Sequence, residues 1–472
     1  MDSKYKLLVS NTLIIAIGNI LVKVISFFLM PLYTSVMTAE QYGMSELLNN
    51  TIEIILPLMT LCIIDSLYRF SIDKNTNHSV LFINSFIVII IGDIIVSFLC
   101  LIGYYILKYE YSFYFLFLYI TATFYNLFCQ FARGLGHIKR YALYGVVNSL
   151  ILIISNIILL VHLRGGITAY LLSFSIAYGI SGFLAFCLSN EFKYIKIKHF
   201  NKEKLKEMLQ YSLPGIPNML SWWINSLSDR YIILAVCGVE VTGLYTAASK
   251  IPAMVNLITS IFQQAWQYST AKEIESEDNK DFFSNIFRGY TYICTVICGL
   301  LILVNKNICK ILLKESFYYA WKFVPLLLLA ATFGCINTYF GTFYNAVKNN
   351  KMLMISTLIG ALLNIILNFM LIPFIGGMGA AIATAFSYLI IMIIRMNNVK
   401  KFIEIEINFK KLILQFVLLT ISVMSNFTDS PISNVIMFLC FSIIILSDYK
   451  VLYVGIKFLQ SIIDPEAKSK IR

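Results

Sequence analysis

Fourteen apolar stretches, most of them about 17–27 residues long, follow one another along this chain with short charged segments between them. A helix needs about 20 apolar residues to cross ~30 Å of hydrocarbon, and lipid leaves no other way to satisfy the backbone of a single segment. The spans fall at 7–30, 43–64, 80–107, 113–131, 141–161, 167–188, 213–237, 244–268, 287–304, 321–343, 352–372, 378–396, 412–423 and 432–446. The expected fold class is all-α, a polytopic membrane protein of about 14 transmembrane helices.

Composition enters through the placement of charge. The chain is 59% hydrophobic and 13% charged, with a net charge of +12. A basic protein suggests nucleic acid, but 26 of the 37 Lys and Arg lie at the N-terminus, on alternate loops and in the C-terminal tail. Lys108, Arg164, Lys306, Lys310, Lys314 and Lys322 lie on the opposite loops. That asymmetry predicts the cytoplasmic membrane with both termini cytoplasmic, and no nucleic-acid partner. The run Lys193, Lys196, Lys198, Lys202, Lys204, Lys206 reads as an attraction to anionic lipid headgroups. The first stretch follows Lys4 and Lys6 but is too long for a signal-peptide core and lacks a small-x-small cleavage site, so it reads as a helix. The ten cysteines form no CxxC pair, and His78, His137, His162 and His199 have no metal-ligand spacing. No metal and no cofactor are expected.

Hydropathy suggests two six-helix lobes, at 1–200 and 201–400, joined by a basic linker and followed by two further helices and a tail at 401–472. The turn Val36-Met-Thr-Ala-Glu40-Gln-Tyr-Gly43 has the Val/Glu/Gly spacing of Val236-Cys-Gly-Val-Glu240-Val-Thr-Gly243, two hundred residues on. Asn156 precedes Gly165-Gly166 as Asn368 precedes Gly376-Gly377. The layout points to a parallel repeat, an architecture that puts a substrate path between lobes. No Gly-Lys dipeptide exists to build a Walker A loop, and no catalytic motif is recognisable, so an enzyme is not expected. Energy must then come from an ion gradient, the membrane potential, a partner or the substrate's own gradient.

An ionised side chain at mid-bilayer costs at least ~2.5–3.5 kcal/mol, so each one needs a reason. Counted at ~1.5 Å per residue, Lys23, Arg230 and Lys250 come to a similar level in the outer half of the membrane. Such a tier suits an anionic group such as a phosphate. The carboxylates Glu46, Glu53, Asp93 and Asp229 serve either as a proton or sodium coupling site or as counter-ions to those cations. Asp65 and Arg69, four apart, are placed to pair and with Arg133 to form a cytoplasmic gate, or else to anchor helix ends. Trp222 and Trp223 lie inside a span, away from the interfacial belt, where they either stack on sugar rings or pack. Pro57, Pro252 and Pro325 are expected to interrupt the second, eighth and tenth spans.

Several segments resemble the polysaccharide flippases of the multidrug/oligosaccharidyl-lipid/polysaccharide exporter superfamily. They are Lys23-Val-Ile-Ser-Phe-Phe-Leu-Met-Pro31 with Glu40-Gln-Tyr-Gly43, Tyr68-Arg69-Phe70, Asp229-Arg230-Tyr231, and Gly243-Leu-Tyr-Thr-Ala-Ala-Ser-Lys250. The most specific runs from Asn364-Ile-Ile-Leu-Asn368 through Pro373 to Gly379 and Thr384. Lys348-Asn-Asn-Lys351 departs from the Gly-Lys often found there in the family. The resemblance implies a V-shaped two-lobed transporter. It would move undecaprenyl-diphosphate-linked oligosaccharide repeat units to the outer leaflet for capsule, O-antigen or exopolysaccharide synthesis, beside polysaccharide assembly machinery. The alternative within the superfamily is an ion-coupled multidrug or metabolite exporter.

Overall fold

The computed structural model describes residue 25 and residues 27–451 apart from 74–75, 275–278, 314, 348–349, 429 and 450, and in some helices the backbone without every side chain. Among these residues there are helices and turns and no β-strand. In chain order the α-helices are α1 (Met30–Val36), α2 (Ala39–Met59), α3 (Ile63–Ser71), α4 (His78–Tyr105), α5 (Ser112–Gly134), α6 (Ile138–Asn156), α7 (Gly166–Leu188), α8 (Lys202–Ser212) and α9 (Gly215–Cys237). They continue as α10 (Val239–Glu273), α11 (Asn279–Leu303), α12 (Asn305–Leu312), α13 (Val324–Ala346), α14 (Asn350–Ile375), α15 (Gly377–Val399), α16 (Phe409–Asn426) and α17 (Pro431–Ser447).

Among the described residues nine helices are long and apolar enough to cross a bilayer: α4 to α7, α11 and α13 to α16. The bent pair α2 and α3 makes a tenth, and α17 is a shorter apolar helix. α9 and α10 coincide with the seventh and eighth expected spans, and the first lies mostly outside the described residues. Large apolar side chains stand exposed along these helices, among them Ile94, Phe98, Phe183 and Phe369. In water that surface would be a liability, and in hydrocarbon it is the solvated face. The chain divides into two compact units, Met1–Thr246 with Lys314–Phe317, and Ala247–Leu313 with Tyr318–Arg472.

In the first unit the second expected span is broken. Pro57 has no N–H to bond the carbonyl one turn back, α2 ends two residues later, and Leu61 and Cys62 take left-handed backbone with φ of 52°. α3 leaves at 67° to α2. Gly92 lets α4 approach that break, since a Cβ there would lie 2.5 Å from the Met59 carbonyl oxygen. Below it Ile63, Leu67, Leu81, Phe82, Leu127 and Phe131 form a core that Met208 of α8 completes. The Asn201 side chain caps α8 through the Lys204 N–H (2.8 Å), while Asn84 Nδ2 donates to the Asn201 carbonyl (3.0 Å). The basic linker is thus pinned to α4.

Thr38 and Gln41 form a reciprocal capping box at the start of α2. One turn on, the repeated turn meets itself. A Cβ on Gly43 would lie 2.6 Å from the Val239 oxygen, and one on Gly243 would lie 1.9 Å from the Ala39 oxygen. Residues 39 and 43 therefore face 239 and 243 reciprocally, as in a contact made across a two-fold axis.

In the second unit Trp266, Phe283, Phe287, Tyr290, Tyr339 and Phe343 pack as one aromatic cluster joining α10, α11 and α13. Pro252 lies inside an unbroken α10, so the expected interruption of the eighth span does not occur. Pro325 is the second residue of α13, where no intrahelical N–H is required; it begins the tenth span rather than interrupting it. Asn368 donates to Asn364, which donates to Thr384, so one polar chain ties α14 to α15.

Candidate functional site

The polar centre of the first unit is built on α2 and α7. Glu46 is 4% exposed, and its Oε1 accepts hydrogen bonds from the hydroxyls of Tyr42 (3.2 Å) and Tyr170 (2.9 Å). The Tyr33 ring lies 5.9 Å from that of Tyr42 and 5.1 Å from that of Tyr170, and its hydroxyl accepts from Asn156 Nδ2 (3.0 Å). A helical offset of four brings Tyr42 and Glu46 together within α2, and α1, α6 and α7 supply the other groups. Two phenol donors satisfy a carboxylate that would otherwise be too costly to bury.

Asp229, Arg230 and Tyr231 follow one another on α9. Asp229 accepts from the Arg230 backbone N–H (2.9 Å) and from the Tyr245 hydroxyl (2.5 Å), so its carboxylate is held on α9 and α10. Tyr231 shares a hydrogen bond with Thr51 (2.8 Å) and donates to the Leu47 carbonyl (3.3 Å), binding α9 to α2. Arg230 is half-buried and close enough to Tyr42 and Tyr231 to interact with both electrostatically. Trp223 packs on Tyr231 at 5.0 Å, and its indole N–H has no acceptor among the described residues. The side chain of Trp222 and the whole of Lys23 lie outside the described residues. Lys250 is half-buried on the part of α10 that belongs to the second unit.

Asp93 on α4 is 6% exposed. Its Oδ1 accepts from the Thr123 hydroxyl of α5 (3.3 Å), while its Oδ2 and the nearby Tyr119 hydroxyl have no hydrogen-bond partner among the described residues. No Lys or Arg pairs with it among the described residues. Glu53, by contrast, is exposed on α2.

One expected pair is corrected. Arg69 bonds Asp73 at 2.9 Å, not Asp65, and the pair is about half exposed. Asp65 stands in the first turn of α3, where the helix dipole already favours a negative charge, and Asp73 lies just past its end within reach of Arg69. Arg133 reaches α3 by another route, its guanidinium lying 4.3 Å over the Tyr68 ring.

Sequence reasoning missed Tyr33, Tyr42 and Tyr170 because a buried tyrosine in a span looks like any other packing residue. It also passed over Arg395, which is 8% exposed near the end of α15. Its guanidinium donates to Ser356 Oγ (3.0 Å), Thr357 Oγ1 (2.9 Å) and the Asn337 carbonyl (2.9 Å), joining α13, α14 and α15 with no carboxylate partner among the described residues. An arginine inside an apolar span was the available signal.

The family described as polysaccharide biosynthesis protein matches residues 8–268, more than half of the chain. The chain belongs to that family. It is 23% identical over 252 residues to the Haloferax volcanii protein named "Probable low-salt glycan biosynthesis flippase Agl15", spanning 52% of each chain, so it covers about half the length of that relative. Among solved structures the fold is similar to that of the lipid II flippase MurJ in an inward closed conformation (TM-score 0.69, 16% identity, covering 94% of this chain and 99% of that one). It is also similar to a MATE transporter in complex with MaL6 (TM-score 0.58, 13% identity, covering 83% and 96%). The all-helical, multi-pass membrane fold of this family member is thereby shared with transporters.

Proposed function

We propose that this family member is a transporter and not an enzyme, and that it flips undecaprenyl-diphosphate-linked oligosaccharide repeat units across the cytoplasmic membrane by alternating access, for capsule, O-antigen or exopolysaccharide assembly. The observation that carries the reading is Arg230, a half-buried guanidinium on α9 within electrostatic reach of Tyr42 and Tyr231. A planar fork of donors suits a diphosphate, which accepts paired charge-assisted hydrogen bonds. Lys23 and Lys250 complete the proposed anion-binding set, and Trp222 and Trp223 offer stacking faces for the first sugars. A relative named as a glycan flippase and a fold shared with a lipid II flippase support the same reading. The export of cationic solutes, the alternative, is disfavoured by these cations.

In this scheme lobes 1–200 and 201–400 carry the transport cycle, 401–472 is appended to them, and polysaccharide assembly enzymes are the protein partners. Asp65, Arg69 and Arg133 make the cytoplasmic gate. With no nucleotide-binding loop, resetting relies on a proton or sodium gradient acting through Glu46, Glu53, Asp93 or Asp229, since equal affinity for both states would shift nothing. The test is flipping of a fluorescent lipid-linked oligosaccharide in vesicles. Arg230→Ala should lower the rate at least about tenfold at unchanged protein abundance, and Arg230→Lys should recover only part of it. Full activity of the double variant Arg230→Ala/Lys250→Ala would overturn the binding site.

A further inference from the structure

At one end of the first unit the start of α2 and the segments leading into α5 and α7 line an open cavity of 480 Å³. The charge asymmetry of the sequence turns this end outward. Glu40, Gln41 and Met44 from the start of α2 form one wall, Tyr111 a second, and the segment from Arg164 to Thr168 the third. The Tyr111 ring is braced edge-on by Tyr109 at 5.6 Å, whose hydroxyl reaches Met44 Sδ at 3.3 Å. Gln41 is fixed through its Oε1 to the Thr38 N–H (3.2 Å), and its Nε2 would lie 3.2 Å from any Cβ at Gly166. Arg164 takes left-handed backbone with φ of 51°, a conformation that non-glycine residues rarely hold. Glu40 and Arg164 are both exposed, and among the described residues neither has an ion-pair or hydrogen-bond partner for its side chain.

We propose that this cavity is a saccharide-binding site, taking one or two neutral sugar rings of the glycan as it reaches the outer leaflet. Its volume lies within the ~300–1,000 Å³ usual for small-molecule sites. A free anion is opposed by Glu40 and a cation by Arg164. A purely apolar ligand would desolvate both charges without pairing either. A pyranose suits all the walls together. Its vicinal hydroxyls donate to the Glu40 carboxylate and accept from the Arg164 guanidinium and the Gln41 amide, while its C–H face lies on the Tyr111 ring. That the sugar arrives by flipping rests on the function proposed above. The affinity of the cavity for sugar does not.

The experiment is saturation-transfer NMR on the purified full chain in lipid nanodiscs, with millimolar cellobiose and N,N′-diacetylchitobiose as probes and inorganic pyrophosphate as competitor. Ring protons of at least one sugar should receive saturation. Transfer should fall at least about fivefold in Tyr111→Ala and in Glu40→Gln, persist in Tyr111→Phe and resist pyrophosphate. Glu40→Gln is isosteric and on the exposed rim, so it carries the test if Tyr111→Ala does not fold. Failure of transfer to both sugars, equal transfer in Glu40→Gln, or displacement by pyrophosphate would each overturn the site. Arg230→Ala, expected to slow flipping at least about tenfold, should leave the transfer intact. Loss of flipping with binding retained, or the reverse, therefore tells the two proposals apart.

Discussion

Two buried carboxylates behave differently because of what surrounds them. Among the described residues Asp93 accepts from one hydroxyl, that of Thr123. We predict that Asp93→Asn blunts the response of vesicle flipping to an imposed pH or sodium gradient while leaving basal flipping measurable; an unchanged response would assign Asp93 to packing. Glu191, just past the end of α7 and outside the spans, is wholly buried, and neither of its oxygens has a hydrogen-bond partner among the described residues. Burial pushes its carboxyl up to about 9. The folded chain then holds a proton that the unfolded chain releases near an ordinary carboxyl value of ~4.3. The group's contribution to stability is fully present below that value and is lost progressively as pH rises towards 9. Thermal unfolding in detergent should show a midpoint falling between pH 5 and 9, with a shallower fall for Glu191→Gln.

Single elements are held by contacts that a helical pattern does not display. Where α2 and α10 cross, backbone meets backbone at Gly43 and Gly243, so no side chain can be introduced without separating the helices. Gly243→Val should cost more than the ~1–3 kcal/mol typical of overpacking, because the obstacle is the Ala39 carbonyl rather than a movable side chain. Loss of folded protein, read by size-exclusion profile and proteolysis, is the expected outcome, and a monodisperse, protease-resistant variant would refute the close crossing. At the far end of the chain, Asp448 just beyond α17 accepts from Arg288 of α11 and lies 3.5 Å from Lys411 of α16. Burial raises its carboxyl, but the Arg288 hydrogen bonds and charge, with Lys411, outweigh that and hold it below the usual value. The last two helices are thus anchored to α11 by one carboxylate.

For the molecule as a whole, the loops flanking alternate spans gather at opposite ends of the first unit. Glu40, Tyr111 and Arg164 share one cavity, whereas the linker at Asn201 meets Asn84, and Met208 packs beside Leu67 and Phe131. That alternation agrees with helices that cross in turn. Single cysteines introduced at positions 202 and 470, in a background freed of native cysteines, should resist membrane-impermeant maleimide in intact cells and react once the cells are opened. One at 164 should react in both. Labelling of 202 from outside would reverse the proposed orientation.

The sequence by itself determined the solvent, the helical class and the succession of spans, because apolar run length and loop charge are local properties that act residue by residue. It also flagged the Val/Glu/Gly turn as repeated, and the broken second span through Pro57. Only the tertiary structure decided that the two turns lie against each other, that Glu46 is caged by three tyrosines, and that Arg69 reaches forward to Asp73. It also decided that Arg395 is satisfied by neutral oxygens. Each of these depends on which helix faces which. In a span that is apolar nearly all round, the periodicity that would mark one face is absent. Partners for buried polar groups are then chosen by packing across helices distant in sequence, which no single segment encodes.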